Sequence, residues 1–233
     1  MSKEYEQFDW IDVIRTEEET GFSKANNMGF VYIMKKYYPD FVIVANNDIM
    51  FDQRNLLQKI TDSYEEDGWA VLTPDVVSLD TGEHQSPIAL RGRTFAELRH
   101  TIFFNRLCLI LLPVIYPILA RKLSDYGHRS YIPEKVYDVV PCGACVFFSK
   151  DFIDKEDAVF FPETKFYYEE YILHHRCVKN GYTIMYNPDM AVVHGDGKAT
   201  KAKAKDEKER LRFMMSNTME SAKIYREYKK IAD

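Results

Sequence analysis

At 233 residues, with 46% hydrophobic and 29% charged residues, the chain has the size and balance of one globular domain, or one and a fraction, with room for a sizeable core. Its net charge of −5 argues against nucleic acid as the main partner, because phosphate backbones select basic surfaces. The 16 Tyr and 15 Phe suit either an aromatic core or sugar-facing surfaces.

The first twenty residues are charged, and their apolar patch at 10–14 reads as a short strand or edge strand. From 23 to 38 the pattern is helical: Phe30, Met34 and Tyr37 share a face, and Pro39 stops the run. Residues 41–45, FVIVA, form a continuous apolar run, as expected of a parallel strand buried on both faces. Asp52 is placed to cap the next helix, with Leu56, Leu57, Ile60 and Tyr64 inward and Gly68 closing it. WAVLT at 69–73 is the following strand. Helix and strand alternating in this order predict an α/β sheet, mostly parallel and flanked by helices.

Residues 74–140 are less regular and include an insertion at about 91–137. Within it, LCLILLPVIYPILA at 107–120 is interrupted by Pro113 and Pro117 and falls short of the roughly 20 apolar residues of a spanning helix. Arg106, Arg121 and Lys122 flank it, so it reads either as a membrane-surface contact or as a buried segment or partner contact. The strand pattern returns at 144–149. A helix is expected at 169–180, closed by Gly181, and two short strands around Asn187–Pro188. From 198 the composition becomes lysine- and alanine-rich, predicting a charged hinge and then a C-terminal helix over about 206–230.

Three stretches can carry chemistry. Ligands of open sheets sit beyond the carboxyl ends of strands, where Asn46, Asn47 and Asp48 follow FVIVA. These residues suit an Asx turn, or a carboxylate that holds a divalent cation against a leaving diphosphate. Glu169 and Glu170 open a predicted helix, where the dipole favours acids; alternatively, one serves as general base. Because adjacent helical residues point about 100° apart, only one of the two can face a reacting centre. His194 ends an apolar strand, where it is structural or binds a metal or phosphate.

The four cysteines, without a recognisable secretory leader, suggest a reducing, cytoplasmic compartment. Cys142 and Cys145 in CGAC and Cys177 in HHRC offer zinc ligands, but no second CxxC pair exists, and buried free thiols are the simpler reading.

Taken in order, TGFSKANNMGF, FVIVANNDIMFD, PCGACVFFSKDFI, FFPETKFYYEEYILHHRCVKNGY and NPDMAVVHGDG resemble the family 2 glycosyltransferases, in particular the bacterial rhamnosyltransferase-like group that builds polysaccharides. The resemblance runs from about Gly21 to Gly197. It implies a GT-A (Rossmann-like) fold over 1–197 and an inverting transfer from a UDP- or dTDP-sugar to a glycan or lipid-linked acceptor. Carried over by position, Asp48 is the last residue of a degenerate metal-binding turn for Mg²⁺ or Mn²⁺, with His194 near the diphosphate as a second ligand. Gly21, Asn26, Asn27, Asn46 and Asn47 fall on donor-side segments, and Gly143 and Ala144 on the acceptor side. Glu170 takes the position of the catalytic base, where the family has Asp, and Glu169 stands beside it. The segment that opens the family's fold has no counterpart here. The resemblance therefore also implies a sheet incomplete at its N-terminal edge, which would invite a homodimer or partner chain, and a second reading as a non-catalytic subunit. Peripheral attachment at the inner membrane face goes with the 107–120 segment.

Overall fold

The structure, a computed structural model, describes residues 5, 7–123, 130–195 and 207–232, with the side chains of 117–123 excepted. The expected hinge at 198–206 and Gly197 lie outside the described residues.

Among the described residues six strands form one sheet: β1 (Phe41–Ala45), β2 (Ile49–Met50), β3 (Val71–Ser78), β4 (Val136–Tyr137), β5 (Cys145–Ser149) and β6 (Ile184–His194). Their order is β1-β5-β3-β6-β2, with β4 also on β6. Only β3 and β6 pair in parallel; the pairs β1–β5, β3–β5, β2–β6 and β4–β6 are antiparallel. The fold is therefore α/β with a mixed sheet, which corrects the mostly parallel expectation. The physical reason is β5, which arrives after the long insertion and inserts antiparallel between β1 and β3. β1 stands at the edge of this sheet, and its residues alternate between buried and half-buried rather than being buried throughout.

Helices cover both faces. Phe30 of α1 (Phe22–Lys36), Phe152 of α4 (Lys150–Ile153), and Leu173 and Cys177 of α5 (Glu169–Asn180) pack with Val42, Val44, Val146 and Phe148. Leu56 and Ile60 of α2 (Leu56–Asp67) pack on the opposite face with Leu72, Cys145, Phe147 and Met185. The alternation of Val146 and Phe148 against Cys145 and Phe147 is the period of two that gives a strand its two faces. A third cluster, with Leu98, Tyr171, Ile172, Ala222 and Tyr225, joins α5 to α3 (Phe95–Leu123) and α6 (Glu207–Ala232).

Several local expectations change. The patch at 10–14 forms no strand, and Trp10 is 78% exposed. Tyr37 lies past the end of α1 in extended backbone, outside the helical face. Asn55, not Asp52, precedes α2, and Leu57 points to solvent because the inward stripe follows Leu56, Ile60 and Tyr64. The two strands around Pro188 are one strand, β6, with a register shift that pairs Pro74 with Asn187 but Asp75 with Ala191. Pro113 and Pro117 do not break α3. It runs through both, and its stretch Phe95–Tyr116 is long and apolar enough to cross a membrane, contrary to the reading of 107–120 as too short.

Candidate active site

Since β1, β3 and β6 all run the same way and β5 runs against them, the carboxyl ends of three strands meet the start of β5 at one end of the sheet. Ala45 pairs with Cys145, Ser78 with His194, and Ile49 with His194. Register alone thus gathers Asn46, Asp48, Ala144 and His194, and the Asn46 amide donates to the Ala144 carbonyl at 2.9 Å.

The chain after β1 does form a tight turn, closed by the Ile49 amide donating to the Asn46 carbonyl at 3.1 Å. That turn sets Asp48 Oδ1 3.3 Å from His194 Nε2, with Asn46 Nδ2 3.4 Å from the same nitrogen. The Gly195 amide donates to the Asp48 carbonyl at 2.9 Å, fastening the turn to β6. Gln85 Oε1 lies 2.8 Å from His194 Nδ1 and can only accept, so Nδ1–H donates to it and the ring turns its Nε2 toward Asp48. A carboxylate oxygen and an imidazole nitrogen side by side offer a cation two donors when Nε2 carries no proton. Among the described residues no group of three or more His, Cys, Asp or Glu side chains converges as a metal site. Two donors fit an ion such as Mg²⁺ or Mn²⁺ that takes its remaining ligands from a phosphorylated substrate and water. Asn47, in the same turn, is exposed.

The Glu pair sits beside these donors. Tyr168 precedes α5 in left-handed backbone (φ 68), and Tyr167 has the same φ, an uncommon conformation for bulky residues. Contacts hold the bend in place: Ser221 Oγ donates to the Phe166 carbonyl at 2.8 Å, and the Tyr168 ring packs on Tyr171 and Tyr225. The bend buries Glu169 to 5% exposure and leaves Glu170 half-buried. Burial first, and repulsion by Glu170 second, push the Glu169 pKa well above the usual carboxylic range. Glu170 turns to the start of β5, where a Cβ added to Gly143 would fall 2.5 Å from Glu170 Oε1. Any side chain there would have to displace the Glu170 carboxylate.

Gly21, Asn26 and Asn27 have a different setting. Gly21 (φ 80) starts α1, and a Cβ on it would lie 2.9 Å from the Lys165 carbonyl oxygen. The Phe22 amide donates to that same carbonyl at 2.8 Å. Asn27 donates to and accepts from the Phe160 backbone at 2.8 and 3.0 Å, and Asn26 donates to the Phe22 carbonyl at 2.9 Å. With the 2.8 Å Ser23–Thr164 hydroxyl bond, the Lys165 and Asn27 contacts brace the loop that leads into the Glu pair, while the Asn26 bond stays within α1. Asn46, Asp48, His194, Ala144, Gly143 and Glu170 therefore come together through direct contacts, while Gly21 and Asn27 support the loop and Asn26 bonds within α1.

The cysteines do not assemble. Cys142 and Cys145 belong to the cluster on one face of the sheet and Cys177 to that on the other, and all four are free and buried. Burial pushes the Cys177 thiol up to about 12 and the Cys145 thiol up as well, so both stay protonated.

Two residues escaped the sequence reading. Gln85 orients His194 from the irregular stretch after β3, where no periodicity marks it. Tyr168 was visible in YYEEY, yet nothing in a tyrosine announces left-handed backbone. Comparison of the chain with protein-family models, curated proteins and solved structures finds no match.

Proposed function

We propose that this chain is an inverting glycosyltransferase of the family 2 kind, moving a sugar from a UDP- or dTDP-linked donor to a hydroxyl of a glycan or lipid-linked acceptor. One observation supports the reading above others: motifs scattered from Asn46 to His194 in sequence meet at a single sheet end, with Asp48 and His194 side by side and Glu170 lodged against Gly143. Asp48 and His194 would hold the Mg²⁺ or Mn²⁺ ion, which when bound would offset the charge of the leaving diphosphate. The acceptor oxygen bonds to the anomeric carbon as the bond from that carbon to the diphosphate breaks, and the acceptor proton passes to the Glu170 carboxylate. Gln85 keeps the His194 ring turned to Asp48, and burial favours the protonated form of Glu169.

The test is calorimetric titration with UDP and dTDP, with and without Mn²⁺, on the natural protein and Asp48→Ala. Metal-dependent heat that Asp48→Ala abolishes supports the reading. No heat with either nucleotide from a folded sample overturns independent donor binding. It would favour the second reading, a non-catalytic subunit completed by a partner strand, for which the relevant observation is that β1 ends the sheet among the described residues.

A further inference from the structure

Helix α3 has two unlike faces. Leu98, Cys108 and Leu112 are 4% exposed or less and turn inward. Phe103, Phe104, Leu107, Ile110, Leu111 and Val114 recur at helical spacing on the other side, with Phe103, Ile110 and Val114 at 67%, 66% and 77% exposure. From Phe103 to Val114 this apolar stripe is about 16 Å long. Isolated exposed apolar residues need no explanation, but a contiguous helical face does.

The surrounding charge points to what covers it. α3 carries four Lys and Arg against one acid, Glu97, and no Asp or Glu follows it in the helix. α6 carries seven basic residues against four acidic ones. The two helices together are +6 in a chain of net charge −5, so the remainder carries −11. They run antiparallel: Lys229 Nζ lies 5.5 Å over the Phe95 ring at one end, and the Tyr116 hydroxyl donates to Glu207 Oε2 at 3.2 Å at the other. α6 thus holds α3 lengthwise against the protein, leaving only the outer face available. A second copy laid on that face would oppose like charges.

We propose that the α3–α6 pair is a docking surface for an anionic lipid bilayer, with the Phe103–Val114 stripe seated among the acyl chains in the plane of the interface. Arg99 and Arg106, exposed on α3, meet the headgroups. α6 also holds the Phe166–Tyr168 bend through Ser221, which ties the α3–α6 pair to the loop before the Glu pair. Presentation of a lipid-linked acceptor to Glu170 rests on the transferase reading; bilayer binding does not.

The experiment is flotation of the full chain with phosphatidylcholine vesicles, with and without phosphatidylglycerol, at low and high salt. The protein should float with the anionic vesicles at low salt. Leu107→Glu/Ile110→Glu should weaken that binding at least tenfold while melting like the natural chain, because both side chains face outward. Arg99→Gln/Arg106→Gln should weaken it about fivefold per charge removed. A folded natural chain that floats with neither vesicle overturns the proposal, as does a Leu107→Glu/Ile110→Glu protein that floats unchanged. Resistance of the bound chain to alkaline carbonate, marking a spanning helix, overturns it too. So does a dimer by light scattering that the same double variant dissolves without any vesicle binding. Nucleotide titration of the same samples reads the transferase proposal separately, so either can fail alone.

Discussion

On the Asp48 side of the sheet end, the side chains hang from strand ends and are held by hydrogen bonds. On the Glu170 side, the carboxyls are held by burial and backbone strain. Strand register brings Asn46, Asp48 and His194 together without unusual conformations, and Gln85 adds a single orienting bond. The Glu pair instead depends on two consecutive tyrosines in left-handed backbone, each costing on the order of 1–3 kcal/mol. It depends as well on a buried carboxyl and on a glycine whose missing Cβ makes room for Glu170. The contrast teaches that the first half can lose a ligand and keep its shape, whereas in the second half geometry, protonation and stability move together.

The sharpest way to separate the halves is Glu170→Gln. It should lower sugar transfer by about 10²–10⁴-fold, the range for a lost general base, while metal-dependent nucleotide heat stays as in the natural chain. A variant that loses both would erase the distinction. Gly143→Ala comes next. Its Cβ must push the Glu170 carboxylate aside, and a displacement near 1 Å costs about 10²-fold in turnover, again with nucleotide binding retained. Unchanged transfer in this variant would show that Glu170 need not lie against β5.

The smallest effect concerns stability. A carboxyl whose pKa is raised by folding contributes its stability below the unfolded value, and that contribution is lost as pH rises through the folded value. Glu169→Gln, which cannot ionise, should therefore melt like the natural chain below pH 4.5, the ordinary glutamic value, and above it at alkaline pH. A melting difference that does not grow with pH would mean that Glu169 is not held protonated by burial.

The alternation of helix and strand was legible because apolar runs and helical faces are local patterns. FVIVA, α2 with Gly68 behind it, and α5 with Gly181 behind it are found where the periodicity puts them. The Asn46–Asp48 turn, the Glu pair and His194 were legible for a related reason, as polar residues at the ends of apolar strands or at a helix start. Leu57 and Tyr37 were misread because one position of helical phase, or one residue past a helix end, exchanges core for solvent.

By itself the sequence determined which segments are helix or strand and which polar residues stand at their ends, since those follow from the chemistry of neighbours a few residues apart. Tertiary structure alone decided that β5 enters antiparallel between β1 and β3, and so that Ala144 meets Asn46. It likewise decided that Gly143 yields its space to Glu170, that Gln85 reaches His194, and that α6 covers only one side of α3. Each of these joins residues dozens of positions apart, and the long-range packing that selects them leaves no periodic mark in the chain.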